Sequence, residues 1–121
     1  MNSKQIDILQ RASLVFMKLG IKSVTMDDIA NQLGISKKTL YNHFTDKNQL
    51  VENIIKAKIA EDRNVFQKAS LEAINAIDEL FMHSKYVIET FKAVNPTVFH
   101  DLQKNYPSAW QLTVNHKWDF V

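Results

Sequence analysis

Glycine and proline occur only twice each in 121 residues, at Gly20, Gly34, Pro96 and Pro107. Turn-rich sheets need such residues often, whereas a helix interior tolerates neither. A chain with so few breakers, rich in Leu, Ile, Ala, Lys and Gln, is expected to be all-α, with its breakers between helices. Cysteine is absent, so there is no disulfide framework and no thiolate metal site. The first residues, MNSKQIDILQ, hold no long apolar run. They read as neither signal peptide nor membrane span, and the expected location is cytoplasmic, with no membrane partner.

The helices follow from periodicity and caps. Ile8, Ala12, Val15, Phe16 and Leu19 form one stripe of a helix over 3–19, closed by Gly20 in a left-handed cap. Lys4, Arg11 and Lys18 form a separate, solvated stripe. Thr25 caps a second helix with Asp27 and Asp28 in its first turn, where the helix dipole favours negative charge. Ile29 and Leu33 are its apolar pair, and Gly34 ends it. Ser36 caps a third helix over 37–43, with Leu40 and Phe44 facing inward. Asp46 and Gln49 form a capping box that opens a fourth helix to about residue 68. Its apolar face is Leu50, Val51, Ile54, Ile55 and Ala57. Ser70 is expected to cap a fifth helix over 71–93, apolar on so wide an arc that burial on more than one side is expected. Asn95-Pro96 and Tyr106-Pro107 start two more, because proline suits a first turn. The apolar ending at Trp118, Phe120 and Val121 suggests a fragment, or a chain that pairs with another copy.

Residues 26–43 carry the chemistry. Two short helices joined by a glycine turn have helix-turn-helix spacing. Ile29, Leu33, Ile35 and Leu40 are expected inside, while Ala30 and Gly34 permit close packing. Ser36, Lys37, Lys38, Thr39, Tyr41, Asn42 and His43 are then left outside, a dense patch of hydroxyl, ammonium, amide and imidazole groups. Lysine neutralises phosphates, and the other groups donate hydrogen bonds to their oxygens. Ser36 and Lys47 both lie at helix N-termini, which attract anions. Residues 1–58 carry nine Lys/Arg against five Asp/Glu, and residues 59–121 carry six against eight. The basic half is thus the one that bears the patch, and an anionic partner suits it.

The stretch TMDDIANQLGISKKTLYNHFTDKNQL resembles the N-terminal helix-turn-helix of the TetR family of bacterial transcriptional regulators. The matching features are the Thr25 start, Ile29-Ala30, Gly34-Ile35-Ser36, Leu40-Tyr41, His43-Phe44, Lys47 and Leu50. The likeness runs closely over residues 5–55, and the remainder resembles the family only in helical layout. It implies a DNA-binding unit over 1–47, joined through the fourth helix to a partial ligand-binding and dimerisation domain over 48–121. It implies a homodimer on a palindromic duplex operator, acting as a repressor released by an unknown small-molecule effector. Carried over by position, Lys37, Lys38, Thr39 and Asn42 are the base-reading candidates. Thr25, Ser36, Tyr41, His43 and Lys47 are the phosphate-positioning candidates. The fourth helix would transmit the effector signal by tilting. Family members are longer and dimerise through two final helices that this sequence lacks.

In the second half, nine of the 12 aromatic residues lie after position 59. Phe81, Tyr86, Phe91, Phe99 and Trp110 are the candidate lining of a ligand pocket. His83, His100 and His116 fall on three different helices without a partner at i+3 or i+4, so no metal site is expected. No G-x-S-x-G, no Gly-rich phosphate loop and no H-E-x-x-H occurs, and neither enzyme activity nor a cofactor is expected. The alternative to a regulator is a helical interaction module without DNA binding. Steep weakening by salt would separate the first from the second.

Overall fold

A computed structural model of the chain describes residues 2–119, with side-chain surroundings through His116. The seven helices are α1 (Ser3–Leu19), α2 (Met26–Leu33), α3 (Lys37–His43), α4 (Lys47–Glu72), α5 (Ala76–Ala93), α6 (Thr97–Asn105) and α7 (Pro107–Asp119). No strand occurs among the described residues. The expected all-α architecture, a helix-turn-helix unit joined by a long fourth helix to further helices, is the one observed.

Local chemistry sets most of the boundaries. The Asn2 side chain accepts from Gln5 N–H, and the Gln5 side chain accepts from Asn2 N–H, a reciprocal cap on α1. Asp46 accepts from Gln49 N–H at 2.8 Å, while the Gln49 side chain reaches one residue further back, to Thr45 N–H. Asn95 rather than the proline after it supplies the oxygen at the start of α6, accepting from the Thr97 N–H and hydroxyl.

One boundary departs from the sequence reading. Ser70 does not cap a helix: α4 runs through it to Glu72, and α5 starts at an Asn75 cap. The Ser70 hydroxyl bonds back to the Phe66 carbonyl at 3.1 Å, a bond available inside a helix, and to Glu79. Asn75 holds the stronger position. Its side chain accepts from Asp78 N–H while Asp78 accepts from Ile74 N–H.

The core is continuous from α1 to α4 and on into α6 and α7. Ile8, Ala12, Phe16, Ile29, Leu40, Phe44, Leu50 and Val51 are all nearly inaccessible, and Val98, Leu102 and Ala109 belong to the same cluster. Leu19 and Ala57, expected on apolar faces, are exposed. So is α5, which has no buried residue, contrary to its expected burial on more than one side. Ile77, Leu80, Phe81, Ile88 and Phe91 lie open because α5 packs mainly on α4, and no described element covers its outer arc. Trp118, Phe120 and Val121 lie outside the described side chains.

Candidate nucleic-acid interface

Three local devices hold the surface of α3 in place. At the start of α2, the Thr25 hydroxyl accepts from Asp28 N–H at 3.0 Å, and Asp28 accepts from Thr25 N–H at 2.9 Å. Those hydrogen bonds to Thr25, the backbone one foremost, hold the Asp28 carboxyl below the usual carboxylate range. At the α2 end, Gly34 adopts φ +69°. Its N–H reaches Asn31 O, and Ile35 N–H reaches Ala30 O, which satisfies two terminal carbonyls and turns Ile35 toward the core. A Cβ on Gly34 would meet nothing within 4 Å. Its role is therefore the left-handed turn and not the close packing expected from sequence. At the start of α3, the Ser36 hydroxyl accepts from Thr39 N–H at 3.0 Å and donates to the Thr39 hydroxyl at 2.8 Å.

Leu40 is the one buried residue of α3. A seven-residue helix with a single anchor has most of its surface free. Lys37, Lys38, Tyr41 and Asn42 are exposed, and Thr39 and His43 are half-buried at its edges. The structure thus brings the sequence candidates of α3 onto one outer surface, with Ser36 and Thr25 at adjacent helix starts. Lys37 Nζ lies 3.2 Å from Asp27 of α2, with both side chains over 60% exposed. A pair so exposed is worth about 0–1 kcal/mol, so a phosphate or a base can displace it.

Lys47 is placed differently from the sequence expectation. Its Nζ turns inward, donates to the Ile21 carbonyl at 2.6 Å and sits 5.9 Å from the centre of the Phe16 ring. Burial pushes this amine below its ordinary value, against the opposing pull of Asp101 and Asp28. The reason is geometric. The Asp46 cap starts α4 where the first-turn side chain runs along the α1–α2 loop, and there it shares the Ile21 carbonyl with Val24 N–H, which reaches it at 3.2 Å. Arg11, expected to be solvated, instead donates to Leu33 O at 2.9 Å and secures the end of α2. It also lies 3.5 Å from Asp7.

Asp101 was not singled out from the sequence. It is the one buried charged residue among those described, 5% exposed, and it accepts from the Ile21 and Lys22 N–H groups. Eighty residues separate it from Ile21. No local spacing could have announced the contact.

The five aromatic pocket candidates do not gather around one cavity. Phe81 and Phe91 are 68% and 58% exposed. Phe91 stacks on Phe99 with centroids 5.3 Å apart. Tyr86 donates to Asp62 at 2.5 Å, and burial first, then that carboxylate, pushes its hydroxyl above the ordinary tyrosine range. Trp110 packs against the main core. Two clefts lie elsewhere. One of about 450 Å³ runs between α1 and α2 past Val15, Leu19 and Asn31. A second of about 260 Å³ runs between α4 and α7 past Ile59, Arg63 and Leu112. His83 faces Glu79 of its own helix α5 at 3.8 Å, and His116 of α7 faces Asp62 of α4 at 3.3 Å. No group of three metal-ligating side chains occurs among the described residues, and none of their helices is long and apolar enough to cross a membrane.

The same segment is what known proteins share with this chain. A sequence profile described as "Bacterial regulatory proteins, tetR family" matches residues 8–54. The HTH-type transcriptional regulator YvaF of Bacillus subtilis is 32% identical over 92 residues, covering 73% of this chain and 47% of that protein. The HTH-type transcriptional repressor KstR2 of Mycolicibacterium smegmatis is 39% identical over 54 residues, covering 45% of this chain and 26% of the repressor. The chain therefore spans less than half the length of these relatives. Among solved structures, a TetR-family transcriptional regulator from Streptomyces coelicolor superposes with a TM-score of 0.80 at 20% identity. It covers 98% of this chain and 67% of that one. KstR2 of Mycobacterium tuberculosis gives 0.71 at 20% identity, over 98% and 63%. These two show the fold, and the matched segment 8–54 coincides with the unit that displays α3. Residues 8–54 thus carry the segment that defines the tetR family of bacterial regulatory proteins, and the regulators similar to the chain share it.

Proposed function

We propose that the chain is a sequence-specific, DNA-binding transcriptional regulator, a ligand-responsive repressor, in which α3 enters the major groove of duplex DNA. The observation that carries this reading is the surface of α3. One leucine anchors it, and its exposed side chains are those that pair with bases and phosphates. Lys37, Lys38, Thr39 and Asn42 read base edges. Thr25, Ser36, Tyr41 and His43 lie where phosphates flank an inserted helix. Lys47 acts from behind, fixing the loop that precedes α2 rather than meeting a phosphate with its own charge. Residues 1–47 form the reading unit and residues 48–121 the regulatory one.

The functional unit under this proposal is a homodimer on a palindromic operator, because two copies of α3 must meet half-sites about one helical turn apart or a multiple of it. A small-molecule effector acts on the regulatory unit, and the protein works in the cytoplasm. The related proteins named as repressors support this direction of control. The test is titration of labelled duplexes at several salt concentrations. The proposal expects affinity to fall steeply as salt rises. Salt-independent association, or none, would refute it.

A further inference from the structure

The segment 17–22, the end of α1 and the start of the loop to α2, is held from outside at five backbone groups. Asn95 N–H donates to Met17 O at 2.7 Å, and the Asn95 side-chain amide donates to Lys18 O at 3.2 Å. Lys47 Nζ donates to Ile21 O. Asp101 accepts from Ile21 N–H at 3.2 Å and from Lys22 N–H at 2.9 Å. Gly20 sits so close beneath α6 that a Cβ there would lie 2.7 Å from the Thr97 hydroxyl, and its φ of +88° is itself open mainly to glycine. None of these contacts touches the proposed DNA surface, yet every one acts on the stretch from which Val24 and Thr25 lead into α2.

Asp101 is the one buried charged residue of this grip among those described. Taking a carboxylate out of water is costly, and here two N–H groups that an apolar side chain would leave unpaired offset that cost. What a carboxylate supplies and an apolar group cannot is direction: two N–H vectors converge on one oxygen. We propose that Asp101 is a positioning residue for DNA binding, fixing from α6 the pose in which α2 and α3 are presented. α6 then joins the regulatory layer to the reader directly, alongside α4. The inference rests on the DNA-binding reading above.

The test compares Asp101→Ala with Asp101→Asn in the whole chain, on duplexes selected by the unsubstituted protein and well below the melting temperature of each variant. Both substitutions remove a negative charge, which by itself favours DNA equally in both. Positioning predicts a split. Asparagine keeps an oxygen for the two N–H groups and is expected to bind within about threefold of the parent. Alanine is expected to lose about tenfold or more, the scale of one lost base contact, with the salt slope unchanged. Equal or tighter binding by Asp101→Ala would overturn the proposal. If that variant does not fold, Asp101→Glu keeps the charge but displaces the oxygen, and parental affinity there would overturn it. Absence of salt-sensitive DNA binding in the parent would instead refute the regulator reading. Amide exchange then decides about Asp101. Residues 21–33 should exchange faster in the alanine or glutamate variant while α7 is unchanged, and equal rates would overturn the proposal.

Discussion

Lys38 and Lys47 are both lysines near the start of a helix, and composition cannot tell them apart. Their surroundings can. Lys38 stands exposed, whereas Lys47 spends its ammonium on the Ile21 carbonyl. Replacing Lys38 by alanine is expected to weaken DNA binding and, if the ammonium meets a phosphate, to reduce the salt slope by about 0.9. If it reads a base instead, the loss should be about 1–3 kcal/mol and confined to certain sequences. Replacing Lys47 by alanine should lower stability and affinity while leaving the slope in place, and a slope reduced by one charge would contradict its inward placement. Asp28 gives a pH prediction. Its folded value lies below its unfolded one, so its stabilising effect is complete above the unfolded aspartate range near about 3.9. That effect is lost as pH falls through the folded value. Denaturation at stepped pH should therefore show a shallower acid decline in Asp28→Asn than in the parent. Parallel declines would contradict the Thr25–Asp28 cap.

Elements with their own caps were legible in the sequence, and those defined by distant partners were not. Thr25, Gly34, Ser36 and Asp46 act within a few residues, so α2, α3 and the start of α4 could be placed from them. Ser70 misled because serine can cap a helix or bond back within one, and only the competing Asn75 cap decides. Gly20 and Gly34 both looked like simple stops. Gly34 has the left-handed turn and open space, whereas Gly20 has a different backbone and α6 pressed against it. Gly34→Ala is accordingly expected to cost about 1–2 kcal/mol by conformation alone. Gly20→Ala should cost more, since it adds a clash with Thr97. Equal losses in thermal unfolding would contradict the close approach. The exposure of α5 has a related reason: periodicity reports which residues are apolar, not whether another element lies over them.

At the scale of the molecule, the charge division has a structural counterpart. The basic half contains the helix-turn-helix unit, and the acidic half forms the layer behind it. The two halves are not separate bodies in their packing, because Val98, Leu102 and Ala109 share one apolar cluster with Phe16 and Leu50. Leu40→Ala, which removes the sole buried anchor of α3, is expected to destabilise by about 2–5 kcal/mol and to abolish DNA binding before global unfolding. Loss of binding only together with helical circular dichroism would contradict that order.

The central claim, that α3 reads DNA, is tested most directly by selecting duplexes from a random pool with this chain at two salt concentrations and recording the mass of each complex. The account predicts enrichment of a defined sequence, stronger at low salt, as a palindrome bound by two copies or a half-site bound by one. Recovery of no preferred sequence, with retention that does not change with salt, would contradict it.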